Sequence, residues 1–156
     1  MRASIKKGFG FGITSGVITT LGLIIGLNSS THSFKIIIGG IFIIGIADAL
    51  SDALGIHVSE ESERKNSAKK IWESTFATFF AKFIIAITFI VPILLFDLNF
   101  AILISIAWGL FLISLFSFYI AKHQNLKAYK TILEHLTLAI LVIFITHLVG
   151  SLIEKI

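Results

Sequence analysis

The amino-acid sequence predicts an all-α, polytopic membrane protein with five transmembrane helices. Of its 156 residues, 56% are hydrophobic and only 14% are charged, whereas soluble domains carry about 25% charged residues. The apolar residues gather in five segments, each long enough to cross a hydrocarbon core about 30 Å thick. These segments are residues 8–27, 34–57, 71–96, 100–121 and 128–153.

The five segments are expected to be helices within one domain covering residues 1–156. Backbone groups inside lipid must bond to one another, and these continuous Ile, Leu and Phe runs lack the alternation of a β-barrel. The polar joints between them are too short to form a separate soluble domain. Pro92 is expected to kink the third segment near its end.

The basic residues predict the orientation of the chain in the membrane. Most lie at the amino terminus and in the joints after the second and fourth segments: Arg2, Lys6, Lys7, Arg64, Lys65, Lys69, Lys70, Lys122, Lys127 and Lys130. The opposite side holds only Lys35 and Lys155. Because lysine and arginine favour the cytoplasmic side, the amino terminus is expected in the cytoplasm and the carboxy terminus outside. The expected location is the plasma membrane of a prokaryote.

The net charge of +4 does not indicate nucleic-acid binding. The basic residues form no compact patch interleaved with aromatic residues, which is the usual signature of such binding. With no cysteine in the chain, thiolate metal sites and disulfides within it are excluded.

The first segment carries a stripe of small residues. Gly8, Gly12 and Gly16 recur every four residues, and Ser15 and Thr19 flank the same face. Glycines at this spacing let two helix backbones approach closely in lipid. The stripe predicts either close packing inside one subunit, or else a subunit interface or the wall of a narrow pore.

Two aspartates lie within the second segment. Asp48 and Asp52 are four residues apart, which places them one above the other on one helix face. A carboxylate at the centre of a membrane helix costs roughly 2.5–3.5 kcal/mol even on lenient insertion scales. The pair therefore indicates an ion pathway or site, a structural ion pair, or a protonated, hydrogen-bonded carboxylic pair.

Lys82 lies about eleven residues into the third segment, too deep to extend easily to the membrane surface. A lysine at this depth is expected to pair with an acid, and Asp48 or Asp52 is the obvious counter-ion. If that pair is permanent, the chain is a non-transporting structural membrane protein.

Three glutamates follow the second segment: Glu60, Glu61 and Glu63. They are either a solvated helix end or an acidic cytoplasmic mouth that concentrates cations. Farther along, His135 and His147 could shuttle protons or be bonded by a neighbouring carbonyl. The sequence shows no nucleophile and base arrangement, so an enzyme is not expected.

The sequence resembles the vacuolar iron transporter family of plants and yeast, in a small form without the cytoplasmic metal-binding domain. The similarity lies in five stretches that appear in the same order along the chain. They are residues 11–26 (FGITSGVITTLGLIIG), 47–55 (ADALSDALG), 71–78 (IWESTFAT), 91–92 (VP) and 148–150 (LVG).

The resemblance implies a homodimer of five-helix subunits that exports ferrous or manganous ions from the cytoplasm in exchange for protons. The first and second helices of each subunit would line a path at the two-fold axis. Ser15 stands where the family usually carries aspartate, Asp52 where it carries methionine, and Ile44 where it carries glutamate. The acidic ligands of this chain would therefore lie on the second helix alone.

In such a dimer, the two copies of Asp48 and Asp52 would place four carboxylates in one cavity. Ser15, Thr19 and Ser51 would add neutral oxygen donors. Oxygen ligands suit hard divalent ions such as Mn²⁺, Mg²⁺ or Fe²⁺. Four neighbouring carboxylates cannot all ionise cheaply, so metal entry is expected to displace protons. Fe²⁺ or Mn²⁺ is the expected cargo, and no resident cofactor is expected.

Overall fold

The computed structural model describes residues 2–63 and 66–156, and this part of the chain is helical without strands. Its helices are α1 (Ala3–Thr31), α2 (Phe34–Ser62), α3 (Ala68–Thr88), α4 (Ile90–Leu95), α5 (Leu98–His123) and α6 (Ala128–Ile153). Since α3 and α4 form one span, the described residues contain five helices long and apolar enough to cross a membrane. The predicted fold class is confirmed.

The orientation of the chain stays a prediction. Arg64 and Lys65, two of the basic residues counted for it, lie outside the described residues.

The first two helices form a hairpin through a tight joint. His32 has φ 50°, in the left-handed region, and its N–H donates to the carbonyl of Asn28 at 3.1 Å. This bond satisfies one of the carbonyls that a helix end leaves without a partner.

α1 and α2 are longer than the apolar segments predicted from the sequence, because each helix continues into polar residues that a hydropathy pattern does not detect.

Pro92 interrupts the third span as expected, and the break falls at Phe89. Proline has no N–H to offer the carbonyl four residues earlier, and its ring crowds that carbonyl, which belongs to Thr88. The Phe89 N–H instead donates to the carbonyl of Ala86 at 3.2 Å. The indole of Trp108 donates to the Thr88 hydroxyl at 3.0 Å, which ties α5 to this break.

α1 is the central helix and packs against α2, α3, α5 and α6. Its glycine stripe faces α3: a Cβ added at Gly12 would lie 2.6 Å from the Thr78 carbonyl oxygen. The Thr78 hydroxyl in turn donates to the Gly8 carbonyl at 3.2 Å. Of the two uses predicted for this stripe, the structure shows close packing inside one chain.

α2 has one buried and one open face. Its buried residues recur every four positions: Ile37, Ile41, Gly45, Ala49 and Ala53. Ile43, Leu50 and Leu54 are exposed on other sides of the helix. Asp48 and Asp52 each precede a buried alanine by one residue, so they lie at the border between the two faces.

Candidate ion site around Lys82

Lys82 lies at the centre of a polar group between α1, α2 and α3. Its ammonium Nζ is 2.5 Å from Asp48 Oδ2, also contacts Asp52 Oδ2, and donates to the Ser15 hydroxyl oxygen at 2.9 Å. Ser15 links Lys82 to Asp52 as well, because its hydroxyl donates to Asp52 Oδ2 at 2.6 Å. We call these four residues the Lys82 cluster. The predicted ion pair is confirmed, and the lysine pairs with both aspartates rather than one.

The close approach of α1 to α3 positions this lysine. A Cβ at Gly16 would lie 3.2 Å from the Cα, Cγ and carbonyl oxygen of Lys82, so the base of the side chain packs directly on the α1 backbone. Glycine leaves the most room for such a helix contact in lipid. The two aspartates approach from α2 because their four-residue spacing stacks them on the side that faces the lysine.

The members of the Lys82 cluster differ in exposure. The Lys82 side chain is 2% exposed, whereas the Asp48 and Asp52 side chains are 29% and 21% exposed. The ammonium is therefore enclosed by protein, and the carboxylates reach the surface of the single chain. With two carboxylates and one ammonium in their charged forms, the cluster has an excess of negative charge on its open side.

The other two predicted ligands do not join the cluster within one chain. Ser51 is exposed on α2. The Thr19 hydroxyl donates to the Ser15 carbonyl at 2.9 Å and so belongs to the backbone pattern of α1. Of the five predicted metal ligands, the structure thus brings together Ser15, Asp48 and Asp52.

The three glutamates of the predicted mouth have different surroundings. Glu60 is buried and contacts the Lys7 ammonium, and the Asn66 amide donates to Glu60 Oε2 at 2.9 Å. Glu63 lies 3.4 Å from the same ammonium and accepts from Asn66 at 3.1 Å. Glu61 is exposed. We call Lys7, Glu60, Glu63 and Asn66 the Lys7 cluster; it ties the start of α1 to the end of α2.

A further polar contact, not predicted from the sequence, joins the starts of α1 and α3. Arg2 contacts Glu73, and the Ser4 hydroxyl donates to Glu73 Oε2 at 2.8 Å. The sequence places these charges near the same membrane surface, but it does not show which acid meets which base.

The histidines of the membrane spans meet hydroxyl groups. His135 Nδ1 is 2.8 Å from the Ser117 hydroxyl, and His147 Nδ1 is 2.6 Å from the Ser29 hydroxyl. Each pair joins α6 to another helix. These partners replace the carbonyls that the sequence analysis considered.

In the described part of the chain, no three His, Cys, Asp or Glu side chains come close enough together to hold a metal ion. The Lys82 cluster offers two carboxylates and one hydroxyl, whose oxygens number fewer than the six to eight that a hard ion such as Ca²⁺ takes. One chain therefore provides an incomplete set of oxygen ligands.

The described residues form five helices long and apolar enough to span a membrane, and a buried lysine among them pairs with two carboxylates. These features define the class as an integral membrane protein. No protein-family model matches the sequence, and no curated protein matches it. The resemblance to vacuolar iron transporters stays a prediction.

Proposed function

We propose that the protein is a proton-coupled transporter that exports a divalent cation such as Fe²⁺ or Mn²⁺ from the cytoplasm and works as a homodimer. The observation that carries the proposal is the outward exposure of Asp48 and Asp52 on a membrane helix. A carboxylate facing hydrocarbon is strongly unfavourable. These two therefore need a polar cavity or a second protein surface in front of them.

A second copy of the chain supplies such a surface. If the open face of α2 meets its symmetry mate, each copy adds Asp48, Asp52 and Ser15 to one space. Four carboxylates and two hydroxyls form a set of hard oxygen ligands that suits Mn²⁺ or Fe²⁺. Ser51 is exposed on the same helix and can join them from either copy.

Electrostatics couples such a site to protons. When the cation leaves, the carboxylates that faced it repel one another, and proton uptake relieves this repulsion. When a cation returns, it displaces those protons. Exchange of metal for protons therefore follows from the crowding of the acids and needs no additional cofactor.

The acidic end of α2 supports the entry of cations. Glu61 and Glu63 are exposed there, and their negative charge raises the local concentration of cations. Glu60 is engaged with Lys7, so we assign it to helix attachment more than to attraction of ions.

Proteoliposomes that contain a metal-sensitive dye test the proposal. We expect wild-type protein to accelerate Mn²⁺ or Fe²⁺ entry, and Asp52→Asn to reduce the rate at least tenfold. Asn has almost the same size as Asp but lacks the charge that holds the ion. Asp97→Asn is the matched control, because Asp97 is exposed in the short joint between the third and fourth spans, away from the Lys82 cluster. Equal rates for wild type and Asp52→Asn would refute the proposal.

The burial of Lys82 favours a second candidate function, that of a structural membrane protein without transport. In this account the contacts of Lys82 with both aspartates are permanent and fasten α2 to α3. Buried ion pairs of this kind can often be replaced by neutral residues without loss of the fold. The structural account predicts that metal enters liposomes containing the wild-type protein no faster than it enters protein-free liposomes.

A further inference from the structure

We propose that the Lys82 ammonium is a tethered cation that occupies the ion site in this state and competes with the transported ion. The inference rests on the proposed function and adds to it a residue that controls affinity. It concerns Lys82 itself, which the transport proposal does not require.

The ammonium lies where a bound ion would lie. Its Nζ contacts oxygens of three side chains, namely Asp48, Asp52 and Ser15. Protein oxygens coordinate Mg²⁺ at about 2.0–2.1 Å and Ca²⁺ at about 2.3–2.6 Å. A divalent ion bound to these same three oxygens would overlap the ammonium, so the ammonium has to leave them before an ion binds there.

The arrangement also determines which cation has to move. The ammonium approaches from the enclosed side, and the carboxylates are open on the other side. An arriving ion meets the carboxylates first and pushes the ammonium back toward α3. A divalent ion attracts the two carboxylates more strongly than a single positive charge does.

The lysine side chain is suited to such a movement. Its backbone is fixed by the contact with Gly16, whereas its four-carbon stem has several rotatable bonds. The end of the side chain can therefore change its rotamer while the base of the side chain stays in place. Ser15 accepts a hydrogen bond from Nζ and donates one to Asp52, so its hydroxyl is free to serve the ion when the ammonium leaves.

Removal of the ammonium should therefore strengthen metal binding. Lys82→Met keeps an unbranched apolar stem and deletes the competing charge. Lys82→Arg keeps a positive charge in the site. We expect the first variant to bind Mn²⁺ at least tenfold more tightly than wild type, and the second to bind no more tightly than wild type.

Mn²⁺ binding to the purified full-length protein tests the proposal, with free Mn²⁺ measured by electron paramagnetic resonance. The comparison includes wild type, Lys82→Met, Lys82→Arg and the double variant Asp52→Asn with Lys82→Met. A gain in Lys82→Met that is lost in the double variant supports the proposal. A Lys82→Met protein that binds Mn²⁺ no more tightly than wild type overturns it.

Thermal unfolding with and without Mn²⁺ covers the case in which Lys82→Met folds poorly. The proposal expects Mn²⁺ to raise the unfolding temperature of Lys82→Met more than that of wild type, because the ion replaces the missing charge. A variant that stays unfolded even with Mn²⁺ overturns the proposal and makes Lys82 structural.

The dye assay separates this inference from the proposed function. If wild type transports and Asp52→Asn does not, but Lys82→Met gains no affinity, only the tethered-cation inference fails. If wild type and Asp52→Asn give equal dye signals, the transport proposal fails. A gain of Mn²⁺ affinity in Lys82→Met would then still establish the competition at the site.

Discussion

The Lys82 cluster and the Lys7 cluster contain the same classes of residue, but the lysine is buried in the first and exposed in the second. Each has one lysine, two acids and one neutral polar residue. In the Lys7 cluster the lysine side chain is 48% exposed and that of Glu60 is 6% exposed. In the Lys82 cluster the lysine is enclosed and the two acids are partly open.

This difference shows which member of each cluster an ion from solution can replace. At the Lys7 cluster the exposed Lys7 ammonium lies between the solvent and the buried Glu60 carboxylate. An arriving cation therefore does not reach Glu60, and the contact serves to hold α1 against α2. At the Lys82 cluster an arriving cation meets the acids before it meets the lysine. Under the proposed function, similar charges thus serve attachment in one place and exchange in the other.

Loss of the buried lysine should have the largest effect on stability. Lys82→Ala leaves Asp48 and Asp52 next to each other without a cation, and removal of one partner from a buried pair costs about 3–5 kcal/mol. We expect a loss of this size in the free energy of unfolding, measured in detergent without divalent ions. A loss below about 1 kcal/mol would mean that the Lys82 cluster contributes no more to stability than the Lys7 cluster does.

The control for this prediction removes the charge from both sides. Asp48→Asn and Asp52→Asn combined with Lys82→Met should recover most of the stability lost in Lys82→Ala, because no member of the ion pairs is then left charged without its partner. A triple variant as unstable as Lys82→Ala would mean that the lysine contributes through packing and not through charge.

A larger side chain between α1 and α3 should disturb the Lys82 cluster and leave the Lys7 cluster in place. Gly12→Ala puts a Cβ 2.6 Å from the Thr78 carbonyl oxygen, and overpacking of this kind costs about 1–3 kcal/mol. Gly55→Ala is the control, because its Cβ meets none of the described atoms within 4 Å. Unfolding curves with equal midpoints for the two variants would contradict the close packing of α1 against α3.

The Lys7 cluster should give smaller losses that follow burial. Glu60→Gln removes a buried charge that contacts Lys7 and accepts from Asn66, and we expect a loss of about 1 kcal/mol after discounting for the exposed lysine. The loss should shrink as salt is added. Unfolding in low and high salt measures both effects.

The smallest effect is expected at Glu63, whose side chain is 58% exposed at 3.4 Å from the Lys7 ammonium. Exposed pairs of this kind contribute between about 0 and 1 kcal/mol. Glu63→Gln should therefore unfold within about 0.5 kcal/mol of wild type. A larger loss than in Glu60→Gln would contradict the link between burial and stability in this cluster.

The sequence predicted those features that depend on local pattern. Hydropathy located the five spans, and the four-residue spacing placed Asp48 and Asp52 on one face. The depth of Lys82 in its segment predicted an acidic partner, which the structure confirms. In each case the cost of a charge or a polar backbone in lipid leaves few alternatives.

The remaining features depend on which helix faces meet, and periodicity does not determine this. The glycine stripe could face another helix of the same chain or a second copy, and contacts with Ser74 and Thr78 decide between them. Ser51 shares a helix with both aspartates but points to the open side. The pairing of Glu60 with Lys7 joins residues more than fifty positions apart, a contact that no local pattern contains.

The central claim is that Asp48 and Asp52 hold a moving cation in exchange for protons. Simultaneous recording of Mn²⁺ entry and internal pH in proteoliposomes tests it most directly. The account predicts that Mn²⁺ entry through wild-type protein is accompanied by proton exit, and that Asp52→Asn reduces both fluxes at least tenfold. Metal entry without proton movement, or equal fluxes in both proteins, would contradict it.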